Sequence, residues 1–277
     1  MKPIEDSVGD VLREWRGRRR LSQLHLACDA QISTRHLSFI ESGRAAASRD
    51  VLLRLAERLT LPPRARNRLM LAAGYAPMHT EQSLEAPGME AIHATVAAVL
   101  TGHLPFPALA VDRHWTLVMA NAAVETLLAG VAPELRTPPV NVLRLSLHPD
   151  GLSSAIVNLL EWRHHILDRL RVQIEASGDP VLVALQTELA GYRLPQGAGG
   201  SGERGRTGGK TDAVAVPLEL RDAASGMILR FLSTTTVFGT AQDVTLSELS
   251  LECFYPADAA TRAALLGAFM QGEGARS

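Results

Sequence analysis

Cysteine is nearly missing from this chain of 277 residues, which has only Cys28 and Cys253. They lie far apart in sequence and in different predicted domains, so neither a disulfide framework nor a zinc site is indicated, and both are expected as reduced, buried thiols. No apolar run reaches the ~18 residues that span a membrane. No signal-peptide pattern opens the sequence, so a cytoplasmic protein with no membrane partner is expected. Catalytic signatures are also missing. There is no Gly-x-Ser-x-Gly elbow. The run Gly205-Arg206-Thr207-Gly208-Gly209-Lys210-Thr211 approaches a phosphate-binding loop, but its first glycine would fall at position 204, which is Arg, and no apolar strand precedes it. Glu161-x-x-His164 has the spacing of carboxylate-bridged metal sites, which need a second copy that the sequence lacks. No catalytic residue, metal ligand or cofactor is therefore expected, and the chain is not read as an enzyme.

What the sequence does have is an uneven distribution of charge. Residues 1–80 carry fourteen Lys and Arg against eight Asp and Glu, a surplus of six, which leaves −7 on the remainder of a chain whose total is −1. The basic head includes Arg13, Arg16, Arg18, Arg19, Arg20, Arg35 and Arg44. Such a patch supplies the salt-sensitive attraction to phosphates on which most DNA affinity rests, whereas the acidic body would repel DNA.

Within the head, Leu24, Ala27, Ile32, Leu37 and Ile40 recur at helical spacing on either side of a break around residues 30–33. Ser22 and Ser33 each precede a helical run and can cap it. The pattern predicts two short helices joined by a tight turn, with Thr34, Arg35, Ser38 and Glu41 outward on the second, where they can meet base edges and phosphates. A helical hairpin with solvated polar faces is the competing reading of the spacing alone. Around this pair, Val8, Val11, Leu12 and Trp15 form one face of a first helix, and Val51, Leu52, Leu55 and Leu59 that of a fourth, capped by Ser48. Pro62-Pro63 suits the start of a fifth helix with Leu69, Ala72 and Ala73 on its buried side, and Gly74 stands where it would stop.

The head resembles the lambda-repressor and Cro type of helix-turn-helix, the XRE family, through Leu21-Ser22-Gln23, Leu26-Ala27, Ile32-Ser33 and Leu37, and the likeness extends over residues 7–76. The resemblance implies that Gln23 braces against phosphate or the recognition side chains, and that Thr34, Arg35 and Ser38 face the major groove. Ser22, Ser33 and Arg44 complete the candidate DNA-binding set. One residue departs from the family. Gln31 occupies the turn position usually held by Gly, and a non-glycine residue at positive φ costs ~1 kcal/mol.

Residues 77–105 read as a connector containing one helix, marked by Pro77, Pro87-Gly88 and the Ala- and Val-rich run to Leu100. Beyond it, Ala108–Val111 and Trp115–Ala120 read as a hairpin across Asp112-Arg113-His114. Helices follow: one capped by Asn121, a long amphipathic one over 153–176, and one from Pro180 to Leu189. Three strands come last, at Ala213–Leu218, Met227–Leu232 and Leu246–Tyr255. Two strands, several helices and three strands suit an antiparallel sheet of about five strands with helices grouped on one face, not a doubly wound parallel sheet. The fold class expected is α+β: an all-α five-helix domain at 1–76, then a PAS-like sheet domain at 106–272. Its Gly-rich segment 197–212 is expected to be a flexible insertion.

Asn121-Ala122-Ala123, Leu147–Leu152, Asn158–Arg163, Phe238–Thr245 and Phe254–Thr261 together resemble the MmyB-like ligand-binding domain. That family implies a PAS-like domain behind an XRE head, transcriptional regulation, and fatty acids as ligands of some members. An acyl chain would need an apolar pocket with a polar end. Trp115, Trp162 and Phe231 are the candidates for its lining, and Asn158, Arg163 and His164 for its carboxylate. Each has a plainer alternative as core or solvated helix surface. Asn121 reads as a helix cap, and His148-Pro149-Asp150-Gly151 as a structural turn. The expectation is a one-component transcription regulator: a homodimer whose head binds operator DNA and whose body senses a small apolar ligand such as a fatty acid. A body that grips a protein partner is the alternative, and an enzyme with an appended head ranks behind both.

Overall fold

A computed structural model describes residues 6–195, 215–239, 241 and 243–274. The insertion expected at 197–212 falls outside the described residues. The chain divides into two compact units, residues 1–82 with 240–247, and residues 83–239 with 248–277.

The first unit holds α1 (Val8–Arg18), α2 (Gln23–Asp29), α3 (Thr34–Glu41), α4 (Arg49–Arg58) and α5 (Pro63–Ala72). Their starts follow from local chemistry. The side chains of Ser7, Ser22, Ser33 and Ser48 accept the backbone N–H three residues on, at 3.2, 3.1, 3.1 and 3.4 Å. Each such cap is worth about 1 kcal/mol. Trp15, Leu12, Leu26, Leu37, Ile40, Leu52, Leu55, Leu59, Leu69 and Met70 close a core with almost no exposure. Leu24, expected in it, is instead 68% exposed. Positions 23, 26, 27 and 30 form the inner face of α2, and residue 24 lies on the other side of the helix. Gln31 has φ of 55° and Gly74 of 78°, both in the left-handed region.

A turn from far along the chain completes this unit. Val244 is fully buried and its N–H donates to the Thr80 carbonyl at 2.7 Å, while the Asp243 carboxylate accepts from the Gln82 N–H at 3.1 Å. The Asn67 carboxamide fixes the strand-like stretch before it, accepting from the N–H groups of Met78 and His79. The strand expected to begin at Leu246 accordingly begins at Ser250, because Val244–Ser247 is a helical turn.

The second unit runs α6 (Glu90–Gly102), β1 (Ala108–Val111), β2 (Leu117–Ala120), α7 (Ala122–Leu127), α8 (Val142–Leu147), α9 (Leu159–Ser177), α10 (Pro180–Gly191), β3 (Leu218–Arg221), β4 (Ile228–Val237), β5 (Ser250–Pro256) and α11 (Ala259–Gly274). All strand pairings are antiparallel, in the order β2-β1-β5-β4-β3. Successive strand residues point to opposite sides, and all four residues of β1 are buried, so this strand is covered on both faces, with α6 packed against it. No helix among the described residues is long and apolar enough to cross a membrane.

Three expectations are corrected in this unit. The long helix begins at Leu159, not at 153, because residues 155–157 pair with the edge of β3: the Val157 N–H donates to Glu219 and the Ala155 carbonyl accepts from Arg221, both at 2.8 Å. Asn121 does not cap α7 with its side chain. Its carboxamide instead accepts from the Ala108 N–H and donates to the carbonyls of Leu100 and Phe106, tying the end of α6 to β1. Cys28 is exposed, and only Cys253 is buried. Burial raises the Cys253 thiol above its ordinary pKa, and the neighbouring Glu252 adds to the shift.

The tightest approach in the head is that of α1 to the end of α3. A Cβ on Gly9 would stand 2.1 Å from the Glu41 carbonyl oxygen. Gly9→Ala should therefore overpack this crossing and cost about 1–3 kcal/mol. The check is a lowered urea midpoint with an unchanged m-value in equilibrium unfolding.

Candidate DNA-binding face and ligand pocket

On α3, Leu37 and Ile40 are buried, Arg35 is exposed, and Thr34 and Ser38 are half-buried. The Arg35 guanidinium lies 5.3 Å from the centre of the Phe39 ring, an arrangement that holds the cation near the helix surface without pairing it to a carboxylate. Ser22 and Ser33 serve as caps. Arg44 is exposed just past the end of α3.

Glu41, expected on the outward face, is 2% exposed and points inward. Its carboxylate accepts from Arg16 at 2.8 and 3.0 Å and from the Gln23 side chain at 2.7 Å. Hydrogen bonding to Glu41 raises the pKa of Arg16 above its ordinary value. Gln23 is thereby braced against the far end of α3.

The basic cluster read from the sequence separates into two groups. Arg16 is held by Glu41, Arg13 by Asp10 and the Glu41 carbonyl, Arg18 by Glu14, and Arg19 by the carbonyls of Leu59 and Thr60. Arg20, Arg35 and Arg44 are exposed and engage no carboxylate among the described residues.

In the second unit a cavity of about 110 Å³ lies between α9 and the sheet. Its floor follows from strand register. Leu109, Phe231, Ser233, Glu252 and Phe254 all line it, and the pairings Leu109↔Glu252 and Ser233↔Phe254 set them side by side on one face of three adjacent strands. Its roof comes from α9, where Trp162, His165, Ile166 and Arg169 recur at the three- and four-residue spacing of one helix face.

Trp115, Trp162 and Phe231, the aromatic candidates, line this cavity. The polar candidates do not. Arg163 donates to the carbonyls of Ala190 and Tyr192, His164 stands 81% exposed beside Asp168, and Asn158 bridges to Pro217 and Glu219 at the edge of β3. The reason is rotational. Trp162 faces the pocket, and each step along a helix turns about 100°, so residues 163 and 164 turn away while 165, 166 and 169 return.

The polar corner is instead Arg169, Glu252 and His165. Arg169 reaches the Glu252 carboxylate at 2.6 and 3.2 Å, and the Thr235 hydroxyl at 2.7 Å. The guanidinium lies 4.5 Å from the centre of the Trp115 ring, whose indole N–H donates to Gln173 at 2.9 Å. Burial, and then the charge of Arg169, push His165 below its ordinary value, which favours the neutral imidazole. Trp115 itself has φ of 66°, a conformation that costs a bulky residue on the order of 1–3 kcal/mol. It is fixed by the turn at Asp112, whose carboxylate accepts the N–H groups of His114 and Thr116, each at 2.8 Å. Glu252 was legible as the one charge in an otherwise apolar strand, and Arg169 as a charge bordering the apolar stripe of α9.

A polar helix presented beside exposed arginines and, in a separate unit, a largely apolar cavity define a DNA-binding regulator with a ligand-binding domain. Residues 7–69 match a helix-turn-helix domain, and residues 92–266 match the MmyB-like transcription regulator ligand binding domain. The chain belongs to the MmyB-like transcription regulators. No match was found among curated proteins.

Because Glu41 is buried between Arg16 and Gln23, Glu41→Ala leaves a cation without its partner and should destabilise the head by about 3 kcal/mol. Equilibrium unfolding of the variant would show this, and unchanged stability would mean that the pair is not structural.

Proposed function

We propose that the chain is a one-component regulator in which the head binds operator DNA as part of a homodimer and the cavity under α9 takes a small apolar molecule that shifts operator affinity. The largely apolar cavity with one polar corner is the observation that carries the sensing half of this reading. A fatty acid belongs among the ligand classes to test, since the lining suits an acyl chain. The reading is regulatory rather than enzymatic, in keeping with the two matched families, and an operator as target goes with action in the cytoplasm.

On the DNA side, Thr34, Arg35 and Ser38 are proposed to meet base edges, Arg44 the phosphates, and Ser22, Gln23 and Ser33 to set the approach of α2 and α3 to the backbone. One recognition helix reads few base pairs, and two related by a dimer axis would meet half-sites ~34 Å apart. A ligand changes operator affinity only to the extent that it binds two states of the protein unequally.

Two measurements test this reading. Arg35→Ala should weaken specific binding by ~1–3 kcal/mol if its guanidinium reads a base, and equal weakening on all sequences would reassign it to a phosphate. Denaturing mass spectrometry of solvent extracts from the purified protein should release a small apolar compound. An empty protein that also fails to bind added fatty acids or their neutral analogues would overturn the sensing half.

A further inference from the structure

The ligand pocket has a polar corner whose formal charges cancel. Arg169 is the cation a carboxylate would seek, and it already has an internal partner: both oxygens of Glu252 accept from it, and Thr235 takes a further N–H. Glu252 is 3% exposed. It also stands on the central strand, opposite Leu109 on one side and Thr235 on the other, so it cannot leave the corner without disturbing two strand pairings. A ligand carboxylate entering here would meet a guanidinium already neutralised and a second carboxylate within a few ångströms. Like charges held that close in a low-dielectric site disfavour joint ionisation.

The same corner still offers neutral hydrogen bonding. Of the five N–H groups of a guanidinium, three are engaged by Glu252 and Thr235, which leaves two donors on Arg169. Neutral imidazole at His165 presents one donor and one acceptor, and the Ser233 hydroxyl lines the same cavity. We propose that this pocket selects an uncharged ligand, a compact apolar body ending in a hydroxyl, carbonyl or amide group, over the corresponding carboxylate. Size points to the body. A cavity of about 110 Å³ is of the order of the ~150 Å³ site that admits benzene in an engineered protein core, which suits a ring or a chain of a few carbons. This inference rests on the reading of the cavity as the sensing site.

The test is calorimetric titration of the full chain at pH 7.5 with three probes of one carbon skeleton, hexan-1-ol, hexanamide and hexanoate. The alcohol and the amide should bind at least tenfold more tightly than hexanoate. Because an alkanol also partitions into any apolar cavity more readily than an anion, the decisive comparison is Glu252→Gln, which leaves Arg169 without its counter-charge. In that variant the affinity of hexanoate relative to hexanamide should rise at least tenfold. Hexanoate binding as tightly as the neutral probes in the unaltered protein would overturn the proposed selectivity and leave the cavity as a sensing site. If Glu252→Gln folds and hexanoate does not gain on hexanamide, the selectivity is overturned as well. Binding of none of the three would overturn both the sensing site and this inference. If Glu252→Gln does not fold, Glu252→Thr, which also removes the counter-charge and suits a strand, takes its place in the same comparison.

Discussion

The register of β5 is the constraint on which the second unit depends. This strand is central in the sheet and pairs with both β1 and β4, so the side to which each of its residues points is fixed twice over. Glu252 and Phe254 face the cavity, and Leu251 and Cys253 face away. A slip of one residue would exchange the two sets. It would replace the partner of Arg169 with a thiol and put a carboxylate among apolar groups on the opposite side. The pair between α9 and β5 therefore locks helix to sheet in one alignment, and the cavity is the space left around that lock. Trp115, held under the guanidinium in a left-handed conformation, closes it. The same register fixes where the chain leaves β4 at Val237 and re-enters at Ser250, and Val244–Ser247, within that interval, belongs to the head unit.

Glu41 has the corresponding place in the head. Gly9 lets α1 come within contact of the end of α3, and Arg16 and Gln23, from α1 and α2, converge on one carboxylate there. Three helices are thus set against each other by a single buried acid. A buried ion pair adds little net stability against a well-packed apolar substitute. Its effect here is to fix the angle at which α3 presents Arg35 and Ser38. The arginines of the head divide accordingly into those that hold the helices and those exposed on the surface.

Much of this was legible in sequence. The serine caps, the five helices, the turn at Gln31 and the β1–β2 hairpin are local features, read from residues a few positions apart. Trp115, Trp162 and Phe231 were also found, because large aromatics in amphipathic segments turn toward whatever interior there is. Short or interrupted elements were missed. The helix α8 buries Leu143, Leu145 and Leu147, an alternation that carries no helical period, and the start of α9 was displaced because residues 155–157 give their backbone groups to β3, a partner some sixty residues away.

The sequence by itself determined the class of protein: two domains, a basic helical head with a polar recognition helix, and a sheet-and-helix body, all following from spacing, capping and charge along the chain. Only the tertiary structure decided which polar side chains do what. Glu41 moved from the outward face of α3 to the interior, and the polar corner of the cavity is formed by His165, Arg169 and Glu252 in place of Asn158, Arg163 and His164. The reason is physical in both cases. Two neighbouring residues on a helix differ by about 100° in direction, and which of them faces inward is set by the partner that packs there: Arg16 and Gln23 on earlier helices for Glu41, and for Arg169 a strand more than eighty residues further along the chain.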